Sequence, residues 1–443
     1  MSLFSWASVQ PVRLFQYVAV GGGHPIVAIL TLAHPADPTN SLREYGRSDV
    51  SCPVDWSAPT RIEPTPPLGR VGLTDATTDT SRPVVLVGNE VVDWLDHLSR
   101  RKLVVLEEPG RMREGPPGDG WFAYPKAVFD RQGTLHVVWG EPTEDDLGPP
   151  MWAALRITSL WHSEFLPGTG WTEPVQIYAG DRVGWGSESG VLRAGAAGHL
   201  HLAFHIWPDG IRYYRRADHG GDWEGVEVET PGVVYSDLTV GGDSVLLAAF
   251  IGLVGPRRHE QPRSVGNSVY TVKSTDRGAQ WSSPHEVQLS VEGRATGVRL
   301  LAGGPGQWSL LWRQNFSGGL SPEGFRAVQS DDGGQTWSEP SDLRTDVRQT
   351  AVLSDGSGRL HVVWTVPAPP GSRAGRQIHY ACWDGGWSEP RTLFSGQRGF
   401  PRIQALTSSA KGLRLFWDVA PTAASLDAVL YSATATTGGS RKR

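Results

Sequence analysis

The sequence predicts an all-β fold, a β-propeller of four-stranded antiparallel blades. Three observations carry this. Glycine (54) and proline (33) are abundant in the 443 residues, too much turn chemistry for a helical bundle. The chain is also 39% hydrophobic with 19 tryptophans, which excludes a disordered composition. Two short motifs alternate along it with a period of about 50 residues, the size of one propeller blade.

The first motif is an aspartate, glycine, tryptophan, then Ser/Thr-x-Pro. Its full copies are Ser274-Thr-Asp276-Arg-Gly278-Ala-Gln-Trp281 and Ser330-Asp-Asp332-Gly-Gly334-Gln-Thr-Trp337, both S-x-D-x-G-x-x-W. A third copy runs from Asp218 to Trp223, with Arg216 in place of the serine, and a shortened one from Asp384 to Trp387. Trp56-Ser-Ala-Pro59 and Trp171-Thr-Glu-Pro174 keep only the end. The chemistry is that of a hairpin tip. The carboxylate accepts backbone N–H groups, glycine supplies positive φ, the serine hydroxyl adds a local bond, and the tryptophan buries a large ring.

The second motif is an apolar run bounded by turns: Leu135-His-Val-Val-Trp139, Leu200-His-Leu-Ala-Phe204 and Leu360-His-Val-Val-Trp364, with looser copies ending at Phe250, Trp312 and Trp417. Such runs predict strands buried on both faces. Together the motifs predict one propeller domain over 1–436 and a flexible basic tail over 437–443. The blades fall at 12–63, 70–110, 121–178, 185–230, 233–290, 294–344, 347–394 and 399–436. The last is completed by an N-terminal strand at 3–10, because an open ring leaves sheet edges unpaired. This gives eight blades, or seven if 70–110 is an insertion.

The S-x-D-x-G-x-x-W turns resemble the Asp-boxes of the sialidase-like, or BNR-repeat, propeller superfamily. The structural box residues are then Asp218, Trp223, Ser274, Asp276, Gly278, Trp281, Ser330, Asp332, Gly334, Trp337, Asp384 and Trp387. The resemblance implies rim turns remote from a central pocket. In enzymes of the superfamily it also implies three arginines on a substrate carboxylate, a tyrosine–glutamate nucleophile and an aspartate acid/base. No Arg-Ile-Pro string is present. The nearest are Arg61-Ile-Glu-Pro64 and Pro401-Arg402-Ile403.

Pocket-lining residues of a propeller come from the innermost strands, just upstream of each apolar run. Ligand-binding candidates there are Tyr124, Lys126, Arg193, Arg294, Arg348, Arg398 and Arg402, an arginine-rich set suited to anions. Pairing of these arginines with inner-strand carboxylates is the alternative. Glu188, Tyr235 and Asp237 are the candidates for a hydrolase constellation. His199, His201 and His205 alternate along one strand in a pattern that can ligate zinc. Recurrence of the same histidine as His136 and His361 argues for packing or hydrogen bonding instead, so no metal is expected. Gly252–Asn267, basic, and Pro142–Met151, acidic, are long loops of the kind that carry recognition.

The charge balance, 41 basic against 46 acidic residues for a net −5, gives no basic surplus for nucleic acid. No apolar stretch reaches membrane-spanning length, and no secretory leader is read at residues 1–16, so a cytoplasmic location is the default, with export by another route left open. Cys52 and Cys382 lack metal-ligand spacing and read as isolated thiols. A chain-closing disulfide stays open if the ring ends meet. The functional expectation is a non-catalytic binding or assembly module for a protein or glycan partner, without a cofactor. A sialidase-like glycoside hydrolase using inner-strand Arg, Tyr, Glu and Asp is the alternative.

Overall fold

The computed structural model describes residues 54–61, 84–89, 102–107, 111–114, 116–117, 123–130, 132–142, 157–166, 168–184, 190–195, 198–206, 210–217, 221–230, 233–241, 245–253, 267–289, 294–316, 323–355, 358–367, 376–395, 399–409, 412–420 and 429–437. Contacts divide the chain into Met1–Arg47 and Ser48–Arg443, and every described residue lies in the second unit. Among the described residues all long regular elements are strands.

Strands β1 (Val54–Trp56) and β2 (Thr60–Arg61) come first. A three-stranded sheet follows: β3 (Val84–Asn89), β4 (Lys102–Glu107) and β5 (Arg111–Glu114). The next group is β6 (Ala123–Phe129), β7 (Leu135–Pro142), β8 (Ile157–Leu166), β9 (Gly170–Trp171) and β10 (Val175–Gly184). After it come β11 (Val191–Ala194), β12 (Leu200–Ile206), β13 (Gly210–Arg216) and β14 (Trp223–Val228). These two groups merge into one nine-stranded sheet, because β10 pairs with β8 and its last two residues, Val183 and Gly184, also pair with β12. Two further four-stranded meanders are β15 (Val233–Gly241), β16 (Val245–Leu253), β17 (Asn267–Ser274) and β18 (His285–Leu289), then β19 (Arg294–Ala302), β20 (Trp308–Asn315), β21 (Gly324–Ser330) and β22 (Ser341–Arg344). A third is β23 (Thr350–Ser354), β24 (Leu360–Pro367), β25 (Arg376–Trp383) and β26 (Arg391–Ser395). The last sheet holds β27 (Phe400–Ser409), β28 (Gly412–Ala420) and β29 (Val429–Thr437), with β1 and β2 along its outer edge.

Burial follows the motifs. The apolar runs are second strands, and β12 and β20 are buried at every residue. The fourth strands β14, β22 and β26 are mostly half-buried or exposed. Successive sheets stack through shared apolar clusters, one joining Leu247, Ala249 and Ile251 of β16 to Leu300 of β19 and Trp308 and Trp312 of β20. All-β meanders stacked face to face in chain order are the predicted propeller architecture.

The rim turns have the expected chemistry. Asp276 Oδ1 accepts from the Gln280 N–H (2.9 Å) and the Ser274 hydroxyl (2.8 Å), and Ser274 Oγ accepts from the Gly278 N–H (2.8 Å). Asp332 repeats this with the Gln335 and Thr336 N–H groups, both at 2.9 Å, and Ser330. These bonds hold both carboxyls below the ordinary aspartate range, Asp276 chiefly through the Gln280 N–H and Asp332 chiefly through the Thr336 hydroxyl and N–H.

Three of these turns also wedge against the meander that precedes their own. Trp281 meets Tyr213 of β13 edge-on at 5.2 Å, Trp223 meets His162 of β8 at 5.3 Å, and Trp387 lies 6.2 Å from Phe325 of β21. Gly278 has φ +85°, and a Cβ there would sit 2.1 Å from the Tyr213 ring. Glycine is therefore required twice, by conformation and by close approach. The weaker copies show how the motif degrades. Arg216, in the serine position, donates to the Gly221 carbonyl (2.8 Å) and forks onto Glu164 of β8. Asp384 pairs with Arg359 (3.2 Å). Asp218 lies outside the described residues.

Ring closure differs from the sequence expectation. The outer place beside β29 is taken by β1, with Val54 paired to Thr437 and Trp56 to Ala435. Trp56 packs edge-on against Tyr380 of β25 at 5.5 Å, the relation that Trp281 has to Tyr213 of β13. The segment expected to end the 12–63 blade thus completes the last sheet, the role assigned to residues 3–10, which lie outside the described residues. The physical reason is that Trp56 finds its aromatic floor on β25 and its ladder on β29, both at the far end of the sequence.

The cysteines are also corrected. Cys382, fully buried on β25, is disulfide-bonded, and the only other cysteine is Cys52, two residues before β1. The recurring histidines turn to hydrogen bonding within the stack. His201 Nδ1 pairs with the Tyr213 hydroxyl (2.7 Å), which donates to the Arg277 carbonyl of the next rim turn (3.1 Å). His361 sits between Tyr380 (2.8 Å) and Asp355 (3.1 Å), and His136 between His162 and Asp130, both at 3.2 Å. Burial, with smaller effects from His199 and Arg215, pushes His201 down to about 4.

Two outcomes are expected. Asp332→Ala lowers Tm by a few degrees, and its deficit against the parent shrinks as pH falls below 3.8. The depressed carboxyl contributes in full above the unfolded value and loses that contribution as pH falls through the folded one; thermal melts of both proteins at neutral and acid pH check this. Cys382→Ser lowers stability by about 6 kcal/mol in the chain-entropy description of a very long closed loop, and a reductant moves the parent's melting curve toward the variant's without shifting the variant.

Candidate functional site

The two ends of the sheets differ chemically. The rim turns lie where inner strands end: Gly241 pairs with Val245, and the neighbouring Leu246 with Ser274 at the box. At the other end the inner strands begin, and there the ladders slip: between Ala123 and Lys126, Val233 and Tyr235, Thr296 and Arg299, and Ile403 and Ala405. Bulges of this kind re-aim side chains beside binding sites. One contains Gly297 (φ +60°), over which the buried Arg313 guanidinium passes, so that a Cβ would lie 2.8 Å from its Nε.

The candidates divide at this end. Asp237 is buried and committed to the fold. Its Oδ1 accepts from its neighbour's Leu238 N–H (2.9 Å) and pairs with Arg193 of β11 (3.3 Å), while Oδ2 accepts from the Leu300 N–H of β19 (2.9 Å). One carboxylate thus clasps three successive inner strands. Arg193 is spent on it and on the Leu192 carbonyl (3.2 Å). Tyr235 packs against the apolar cluster that holds Trp308 and Trp312. The inner-strand pairing weighed as the alternative is therefore what Arg193 and Asp237 do.

Tyr124 lies within the slip in β6 and Lys126 at its end, and Arg294 opens β19 opposite Asn315. Glu188 and Arg398 lie outside the described residues, as do nearly all of the basic and acidic loops. Among the described residues no cluster of His, Cys, Asp and Glu is arranged to hold a metal ion, and no helix is long and apolar enough to cross a membrane.

Arg348 and Arg402 do come together, with a third arginine the sequence did not single out. Arg348, exposed, precedes β23, and its N–H donates to the Thr365 carbonyl (3.0 Å). Arg402, on β27, is forked onto the fully buried Asp418 opposite it on β28, with Nε 3.0 Å from Oδ1. The Gln349 side chain joins the two strands, its Oε1 accepting from the Ile403 N–H (3.2 Å). Arg376 opens β25 opposite Pro367 at the same end. It is half-buried, and its side chain makes no hydrogen bond or ion pair among the described residues. Burial first, then the charges of Arg348 and Arg402, pull its guanidinium below the ordinary arginine range. Arg376 escaped sequence reading because it starts a third strand, and only inner-strand segments were expected to face a ligand.

No family model matches the chain, and no curated protein matches it. Among solved structures, an ulvan lyase of a polysaccharide lyase family, PL25, aligns with a TM-score of 0.55 at 10% identity, over 86% of this chain and 94% of the lyase. The form bound to -[GlcA(1-4)Rha3S]- aligns at 0.54 and 11% identity, over 82% and 94%. A protein of unknown function from Dyadobacter fermentans DSM 18053 aligns at 0.51 and 11% identity, over 87% and 100%. At such identities the likeness is one of fold. With the stacked four-stranded meanders described above, that fold is a β-propeller.

Asp237→Asn is expected to destabilise by about 1–3 kcal/mol, since it removes the Arg193 ion pair and sets an amide against a buried N–H. Urea unfolding measures it. Unchanged stability would show that the three-strand clasp contributes nothing.

Proposed function

We propose that this chain is a non-catalytic, glycan-binding β-propeller whose ligand docks at the end where the inner strands begin. The observation that carries the reading is the engagement of Asp237. A general acid needs a carboxyl free to give and take a proton at substrate; both Asp237 oxygens are held by Arg193 and two backbone N–H groups. Tyr235, the candidate nucleophile, packs in an apolar cluster. Support for a glycan comes from the fold shared with an ulvan lyase bound to a glucuronate- and sulfate-bearing saccharide, an analogy of fold. The disulfide at Cys382 favours an oxidising compartment over the cytoplasm as the working location.

The test is direct. The full chain is titrated with neutral, uronate-bearing and sulfated oligosaccharides by calorimetry. The same saccharides, with aryl glycosides and sialosides, are then assayed for reducing ends and unsaturated products. Saturable binding without turnover is the expected result. Turnover lost on Tyr235→Phe would establish the hydrolase alternative, and an absence of binding across the panel would overturn the glycan assignment.

A further inference from the structure

The seam between the β23–β26 sheet and β27 carries an electrostatic imbalance that the fold does not resolve. Arg376 is half-buried and, among the described residues, unpartnered, with Arg348 and Arg402 as its charged neighbours. A desolvated guanidinium is costly without an acceptor. Here Asp418, the carboxylate opposite Arg402 on the neighbouring strand, is already forked by Arg402. Arg348, beside it, is exposed, so the seam opens to solvent. Backbone bonds fix the geometry. Arg348 is tied to Thr365 on one side of β24, Arg376 faces Pro367 on the other, and Gln349 ties this corner to Ile403, next to Arg402.

We infer that this seam, with Arg376 at its centre and Arg348 at its mouth, is an oxyanion subsite that takes a sulfate ester or a uronate carboxylate of the bound glycan. A planar guanidinium presents two parallel N–H donors to such a group, and the anion supplies the acceptor that Arg376 lacks. The site differs in make-up from the set of three arginines implied by the sialidase resemblance. Arg402 is neutralised by Asp418, and Arg376 enters from the start of a third strand. The inference rests on the proposed function only for the carrier of the anion, not for the anion itself.

Arg376→Gln and Arg376→Lys decide it, measured on the full chain with inorganic sulfate, a uronate oligosaccharide, a sulfated oligosaccharide and its desulfated form. Without ligand, Arg376→Gln melts at or above the parent temperature because it removes repulsion; a marked fall would assign Arg376 to the fold and overturn the inference. Affinity for one of the charged saccharides falls about tenfold or more, as expected for losing a charge-assisted bond, and Arg376→Lys restores part of it. The charged saccharide that responds identifies the group as carboxylate or sulfate. Equal affinity for sulfated and desulfated forms, together with uronate binding indifferent to Arg376→Gln, overturns the subsite while leaving glycan binding intact. If no saccharide binds, the proposed function fails and inorganic sulfate decides the subsite alone. Stabilisation of the parent that disappears in Arg376→Gln upholds it, and no stabilisation overturns it.

Discussion

The structure depends on a contact between neighbours: the rim hairpin of one sheet wedged against the third strand of the sheet before it. The wedge explains why the same few residue types recur. The aspartate and serine close the turn on its own N–H groups. The glycine permits both the positive φ and the approach of the preceding sheet, Tyr213 at Gly278 and Leu247 at Gly334. The tryptophan then spends its ring on the neighbour. The indole N–H groups of Trp56, Trp223, Trp281 and Trp337 are buried without hydrogen-bond partners, a cost accepted because the ring's apolar area is what joins the sheets.

Because each wedge needs a predecessor, a ring of such sheets has a closure problem, and this chain meets it with its most distant residues. Trp56 acts as the box tryptophan of the final sheet although it precedes every other described strand. Arg391 donates to the Val54 carbonyl (3.4 Å), and Cys382, on the same sheet as Arg391, is disulfide-bonded. A ladder of three residues in β1 and two in β2 carries little stability by itself. A covalent cross-link acts on the unfolded ensemble and matters most where the loop it closes is longest. Weak pairing and a long-range disulfide are two parts of one solution.

Local chemistry was legible in the sequence; long-range partnership was not. Ser274, Asp276, Gly278 and Trp281 could be read because all their turn bonds lie within a few residues. Leu200–Phe204 and Leu360–Trp364 could be read because burial on both faces leaves an uninterrupted apolar run. Trp56 was recognised as an outer-strand residue, but nothing near it in sequence says which sheet it joins. The cysteine pair is invisible for the same reason. Arg193 and Asp237 were correctly singled out as inner-strand residues, and only coordinates reveal that they answer each other across two strands. Arg376 is the opposite case, an ordinary strand-opening arginine until its neighbours are known.

The contrast between the two ends of each sheet bears on where function resides. At the rim, the neighbour is always another copy of the same unit, so one solution serves repeatedly and the motif stays recognisable even where Arg216 replaces serine. At the other end the repeat breaks. Ladders slip at different residues in β6, β15, β19 and β27, and charges are balanced pair by pair, by Asp237 for Arg193 and by Asp418 for Arg402. Packing alone does not require such irregularity, since the rim shows that regular units suffice to stack. Departures from local consistency are where a fold gives up stability for a site. Arg376, the guanidinium left without an acceptor among the described residues, stands where that balancing stops.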